Sequence, residues 1–157
     1  MDISYRKATP ADIDLIVEYR IEFLEEFWGP QTGNSKEDFK KYFRNYLAKG
    51  FSENNFIFYL AYSGSTNAGI GGVIFREQPG NFKNPSGRVG YVLNMYTPTK
   101  FRRLGIGETI LNKLIVDTKE MGITLMELHS TKDGVPLYEK NGFKIHPEPT
   151  YRKYLNS

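Results

Sequence analysis

Apolar and polar positions alternate with a period that changes along the chain, and each change marks an element. Ile3–Lys7 reads as a short strand. Thr9-Pro10-Ala11-Asp12 then signals a helix start: Thr9 can cap, Pro10 suits the first helical position and Asp12 supplies the reciprocal carboxylate. Ile13, Ile16, Phe23 and Phe27 continue one apolar face until Trp28-Gly29-Pro30 ends it. A second start stands at Ser35, with Asp38 three residues on. Phe39, Tyr42, Phe43, Tyr46 and Leu47 follow at i, i+3, i+4, i+7 and i+8, an aromatic stripe expected to be core.

Strand signals come next. Phe56–Tyr62, a turn at Ser63–Asn67 and Ala68–Arg76 read as a hairpin. Gly69, Gly71 and Gly72 lie inside a strand pattern, so a bulge or a close backbone approach is expected there. After a turn at Asn84–Gly87, Val89–Thr97 is the next strand. Gly105–Glu120 returns to helical spacing, with Ile106, Ile110 and Leu114 on one face, and Gly122 stops it. Ile123–Leu128 reads as a strand and Gly134–Lys140 as a short helix. Phe143–Ile145 and Tyr151–Tyr154 read as the last strands. Turn-linked early strands predict antiparallel pairing, and strand–helix–strand units predict parallel neighbours. The expected fold is α/β (α+β): a mixed, mostly antiparallel sheet of six to seven strands with helices on both faces. No repeat or linker divides residues 1–157, so a single domain is expected.

Composition narrows the chemistry. The chain has 157 residues and no cysteine, which excludes a cysteine nucleophile, a disulfide framework and a thiolate metal site. With two histidines, His129 and His146, a histidine-rich zinc site is excluded too, and no metal is expected. No apolar run approaches the ~20 residues that span a bilayer, and Met1–Arg6 does not resemble a signal segment. The expectation is a cytoplasmic protein without a membrane partner. The net charge of +3 is a weak field, and no aromatic-interleaved RNA motif accompanies it, so a nucleic-acid partner ranks last. Lys36, Lys40, Lys41, Arg44 and Lys49 read as a solvated face. Lys100, Arg102 and Arg103 stand beside glycines, where an anionic ligand becomes the better reading.

That cluster belongs to a strand, a basic loop and a helix start, Tyr91 through Gly107. A helix N-terminus leaves N–H groups unpaired and favours an anion. Gly105 and Gly107 let the backbone approach it, and Arg102 and Arg103 can add charge-assisted contacts. The expected ligand is a pyrophosphate; the plainer alternative is a helix that merely begins with glycines. A P-loop is excluded because no Gly-Lys-Ser/Thr follows. A dinucleotide fingerprint fails because Ile110 stands where its third glycine belongs.

Arg102-x-x-Gly105-x-Gly107 resembles the coenzyme A signature of the GNAT superfamily of N-acetyltransferases. Asn94-Met95-Tyr96-Thr97 resembles that family's fourth strand, and Leu137-Tyr138-Glu139-Lys140-Asn141-Gly142-Phe143 resembles its Leu-Tyr-Glu-Lys-x-Gly-Phe segment. One departure is Thr99 where the family often has proline, the proline here being Pro98. The resemblance implies acetyl-CoA as co-substrate. Its arm would lie along Met95, Tyr96 and Thr97, and its pyrophosphate on Arg102, Arg103, Leu104, Gly105, Ile106, Gly107 and Glu108. It also implies direct attack by an acceptor amine, Tyr138 as proton donor to the leaving thiolate, and a homodimer as a common assembly. For the base, Glu22, Glu25, Glu26, Glu127, His129 and a water chain all stay open. So does a regulatory module that binds acyl-CoA with little turnover. Phe23, Phe27, Trp28 and Phe51 could line an acceptor pocket or belong to the core. The acceptor itself is not legible.

Overall fold

The structure is a computed structural model and describes residues 1–156. In chain order it contains β1 (Ile3–Lys7), α1 (Ile13–Trp28), α2 (Asn34–Glu53), β2 (Phe56–Ser63), β3 (Thr66–Glu77), β4 (Arg88–Tyr96), α3 (Ile106–Glu120), β5 (Met126–Glu127) and α4 (Val135–Lys140). The strands lie side by side in the order β1-β2-β3-β4-β5. The first four pair antiparallel, and β5 joins β4 in parallel after the α3 crossover.

Alternation along the strands sorts the core into two layers. Phe58 and Leu60 of β2 face α1 and α2, where they meet Ile16, Val17 and Leu47. Their neighbours Tyr59 and Ala61 face α3, with Val73, Ile106, Ile110 and Leu114. Each fully buried aliphatic side chain here contributes about 1.5–3 kcal/mol. Helices therefore cover both faces, as the sequence implies. The aromatic stripe of α2 is only partly core: Phe43 and Leu47 are buried, whereas Tyr42 is 74% exposed.

Local signals explain how the elements start and stop. Asp12 accepts the Thr9 N–H at 2.8 Å and both guanidinium nitrogens of Arg6 at 2.8 Å, tying the entry of α1 to β1. Arg6 holds the Asp12 carboxyl below its usual range. Helix α3 ends at Gly122 (φ 77°), with Ile123 N–H bonded to Thr118 O at 3.3 Å. The β3 glycines mark close approach. A Cβ at Gly72 would collide with the Phe58 ring, and one at Gly71 with the Met95 sulfur.

The sheet is shorter at its far edge than the pattern predicts. The strand expected over Ile123–Leu128 is reduced to Met126–Glu127, and Phe143–Ile145 and Tyr151–Tyr154 form no strand, leaving five strands rather than six to seven. For the two segments after α4, the end of that helix supplies the reason. Gly142 (φ 88°) turns the chain, and Phe143 donates its N–H back to Tyr138 O at 3.0 Å, so that donor closes the helix instead of joining a ladder. Pro147 and Pro149 then remove two further ladder donors. Ile145 and Tyr151 are 95% and 89% exposed. Among the described residues no helix is long and apolar enough to cross a membrane.

Candidate functional site

The site begins where β4 and β5 part. Their ladder consists of Gly90↔Met126 and Tyr91↔Glu127, while β4 continues to Tyr96. From Val92 onward the β5 side of β4 is an unpaired edge, which can accept a further strand-like partner. Within that edge Asn94 takes φ 58°. Gly72 pairs with Leu93 and Ile70 with Tyr96, so β4 holds one more residue than β3 between these pairs. This bulge re-aims the side chains that follow. Met95 drops onto Gly71 on the α3 face. Tyr96 packs on Tyr19 and Phe23 of α1, with ring centroids 5.7 and 6.4 Å away. Asn94 is 3% exposed, and among the described residues both polar atoms of its side chain lack a partner.

After β4, a single tight turn at Thr99–Phe101 leads into the glycine loop. Arg103 (φ 66°) and Gly105 (φ 76°) are left-handed, a costly state for arginine. Helix α3 begins at Ile106, and Thr109 closes the first turn by bonding Gly105 O at 3.0 Å through its N–H. Among the described residues nothing accepts the backbone N–H of any residue from Arg103 through Glu108. A Cβ at Gly105 would have nothing within 4 Å, and one at Gly107 would touch only Leu137 Cδ2 at 3.7 Å. Packing does not require Gly107, yet glycine is, after proline, the poorest helix former. The bare surface beside unpaired N–H groups suits a phosphate pressed against backbone.

The side chains around the loop divide. Arg102 turns back: its Nε donates to Thr97 O at 2.8 Å and it grips both Glu26 oxygens at 2.7 and 2.9 Å. Glu26 pushes the Arg102 pKa up. Arg103 and Leu104 are exposed, and Ile106 is buried. Glu108 bonds Lys140 at 2.9 Å and Asn141 at 3.4 Å, joining the start of α3 to the end of α4. Lys140 holds the Glu108 carboxyl below its usual range. Tyr138 of α4 is half-buried, edge-on to Phe143 at 5.9 Å. Burial, reinforced by nearby Tyr91, pushes its phenol up to about 12.

Residues 20–143 match the model of the acetyltransferase (GNAT) family. This chain belongs to that family. GNAT proteins are acetyl-CoA-dependent acyltransferases. The fold agrees with the crystal structure of a predicted acetyltransferase with acetyl-CoA from Clostridium acetobutylicum: TM-score 0.90, 29% identity, covering 99% of each chain. A GCN5-related N-acetyltransferase from Ralstonia eutropha JMP134 shares the fold at TM-score 0.86 and 23% identity, covering 97% of this chain and 99% of its own. A curated relative, the uncharacterized N-acetyltransferase YitH of Bacillus subtilis (strain 168), is 38% identical over 68 residues, which is 43% of this chain. The chain spans only 23% of that relative's length.

Within this GNAT chain the candidate bases separate. Glu25 is bound to Lys36 at 2.6 Å and Glu26 to Arg102. Among the described residues Glu22 makes no ion pair. Burial, then the like charges of Glu18 and Glu26, pushes its carboxyl up, and its charge acts on Tyr19 and Tyr96. His129 bonds the Tyr91 hydroxyl through Nδ1 at 2.7 Å, and Glu127 is paired beside Tyr91 in the sheet. Of the aromatic candidates, Phe23 joins the Tyr96 cluster. Phe51 packs edge-on against Phe56 at 4.8 Å, and Phe27 and Trp28 are 59% and 68% exposed.

Sequence reasoning missed three residues on the α1–α2 face of the sheet, Arg20, Arg76 and Tyr91. One signal for Arg20 was present. Ile13, Ile16, Phe23 and Phe27 are spaced 3, then 7, then 4, and Arg20 fills the inward position that divides the long gap.

Proposed function

We propose that this chain transfers the acetyl group of acetyl-CoA directly to an amine. The observation that carries the reading is the continuity of the unpaired β4 edge with the bare N–H loop of α3, together with a relative of the same fold that holds acetyl-CoA. The pantetheine arm lies along Met95, Tyr96 and Thr97 as an added strand. The pyrophosphate rests on the N–H groups from Arg103 to Glu108, with Arg103 as the outer cation. Arg102 anchors the loop to α1 rather than reaching outward.

The acceptor nitrogen attacks the thioester carbonyl carbon, and the carbon–sulfur bond breaks. N–H groups at the β4 bulge stabilise the oxyanion, and Tyr138 donates a hydrogen bond to the departing thiolate. An alkyl ammonium of pKa ~10.4 must first lose a proton. We assign that task to Glu22, whose raised pKa makes it a stronger base than an ordinary carboxylate. Only its ionised form accepts a proton, so kcat/KM falls as pH drops through the raised Glu22 pKa.

The test is acetyl-CoA turnover with a panel of amines, measured as thiol release across pH. Glu22→Gln is expected to remove the acidic limb and lower turnover about 100-fold. A limb that survives the substitution removes Glu22 from the mechanism. Acetyl-CoA binding with no thiol release on any amine rejects the transferase reading.

A further inference from the structure

Two asparagines show what this fold uses the residue for. Asn54, exposed and left-handed at φ 55°, ends α2. Asn84 is 4% exposed, and its amide donates to Arg88 O at 3.0 Å and accepts from the Ser86 hydroxyl at 3.4 Å. Asn94 combines the backbone of the first, at φ 58°, with the burial of the second, at 3% exposed. Yet among the described residues neither its Nδ2 nor its Oδ1 has a partner. A buried amide without hydrogen bonds is unfavourable, and native structures keep few of them. The left-handed backbone does not need it, because glycine takes that conformation without strain. Burial does not need it either, because an apolar side chain carries no such penalty. What asparagine adds is a pair of N–H donors and a carbonyl acceptor.

Its place in the sheet gives those groups a use. Asn94 stands on the stretch of β4, from Val92 to Tyr96, whose outer edge is unpaired. It shares the bulge opposite Gly71 with Met95, between the pairs Gly72↔Leu93 and Ile70↔Tyr96. Met95 is spent on packing, since its sulfur fills the space over Gly71. Asn94 is therefore the polar member of the bulge. Asn67 and Thr118 also carry buried side-chain atoms without partners. Asn67 pairs with Tyr62 near the β2–β3 turn, and Thr118 lies in α3 with its methyl group under Gly90. Neither stands on the unpaired edge.

We propose that Asn94 binds the pantetheine arm of acetyl-CoA, its side-chain amide pairing with the arm amide nearest the thioester. Nδ2 donates to that amide's carbonyl, and Oδ1 accepts its N–H. This rests on the placement of the arm along Met95, Tyr96 and Thr97. Main-chain pairing alone leaves the register of a strand-like partner weakly specified. One buried amide pair fixes it, and so sets the thioester carbonyl at the bulge. Binding then supplies the hydrogen bonds that the Asn94 amide lacks.

The experiment is calorimetric titration with CoA and with 3′-phosphoadenosine diphosphate, the same nucleotide without the arm. Asn94→Gly keeps the left-handed backbone and removes the amide. It is expected to weaken CoA binding tenfold or more and binding of the armless nucleotide less than twofold. Asn94→Asp keeps the size but has no N–H donor, and the same selective loss is expected. CoA binding unchanged in either variant overturns the proposal. So does an equal loss for both ligands, which is the mark of a purely structural role. A parent protein that binds CoA no more tightly than the armless nucleotide removes the arm from β4, and the proposal with it. Because the readout is binding, an arm-selective loss in a protein that releases no thiol with any amine counts against the transferase reading alone.

Discussion

Tyr138→Phe lowers kcat about 100-fold or more and leaves the acetyl-CoA Kd within about twofold. The physical case starts from acidity. A thiol such as that of coenzyme A ionises near ~8.5, and an ordinary phenol near ~10. Burial in the α4 turn pushes the Tyr138 phenol up to about 12. The group therefore stays protonated through the working pH range. It is a weaker acid than a thiol, so in the proposed role its contribution would be a hydrogen bond that strengthens as charge develops on sulfur. Such a bond acts in the transition state and hardly at all on the bound thioester, which places its loss in kcat rather than in Kd. Phenylalanine keeps the edge-on contact with Phe143 and the shape of the turn. Stopped-flow thiol release and equilibrium titration separate the two constants. Unchanged kcat in this variant removes Tyr138 from the reaction. A second consequence is that Tyr138 produces no alkaline limb below about pH 11, given its raised pKa.

Gly107→Ala moves stability and binding in opposite directions. Alanine exceeds glycine in helix propensity, by about 0.8–1 kcal/mol in a helix interior and by less in the first turn where Gly107 stands, and the added Cβ meets only Leu137 Cδ2 at an ordinary 3.7 Å. Thermal unfolding is therefore expected about 1–2 °C higher. In the same variant the methyl group keeps a phosphate off the N–H groups at the start of α3. Each charge-assisted hydrogen bond lost there costs about 1.5–3 kcal/mol, so the acetyl-CoA Kd rises about tenfold to a hundredfold. Gly107→Val widens the loss. Gly105 is the contrasting position. Its φ of 76° disfavours any side chain, so substitution there destabilises the loop itself and does not isolate binding. A Gly107→Ala protein that is more stable and binds acetyl-CoA as well as the parent places the pyrophosphate elsewhere.

The two arginines of the signature stretch illustrate why residue type and residue role separate. Arg102 and Arg103 are adjacent and identical, and both are candidate phosphate ligands from the sequence. The extended backbone of Arg102 sends its side chain across to Glu26 of α1, seventy-six positions away in the chain, while the left-handed Arg103 projects outward. Only the docking of α1 beside the loop distinguishes them. Glu108 follows the same logic: its carboxylate closes on Lys140 and Asn141, so only its main chain is left to meet an anion.

Local patterns determined a good part of this protein. Period and punctuation predicted β1 through α3 closely, since apolar spacing, caps and glycine stops act within a few residues of one another. The same locality let the glycine loop be read as a candidate anion site, and Leu137–Phe143 as a segment resembling the family's second motif. Tertiary structure decided what depends on distant partners. It ended β5 after Met126–Glu127, which leaves the β4 edge unpaired from Val92 onward, and it spent the Phe143 donor on the closing turn of α4 instead of a further strand. Among the described residues it left Glu22 without an ion pair while Glu25 and Glu26 found cations, a choice among three carboxylates of one helix that no periodicity encodes. And it set Arg76 of β3 over the ring of Tyr91 in β4, because the antiparallel register of the two strands, and not any spacing within either, brings them together.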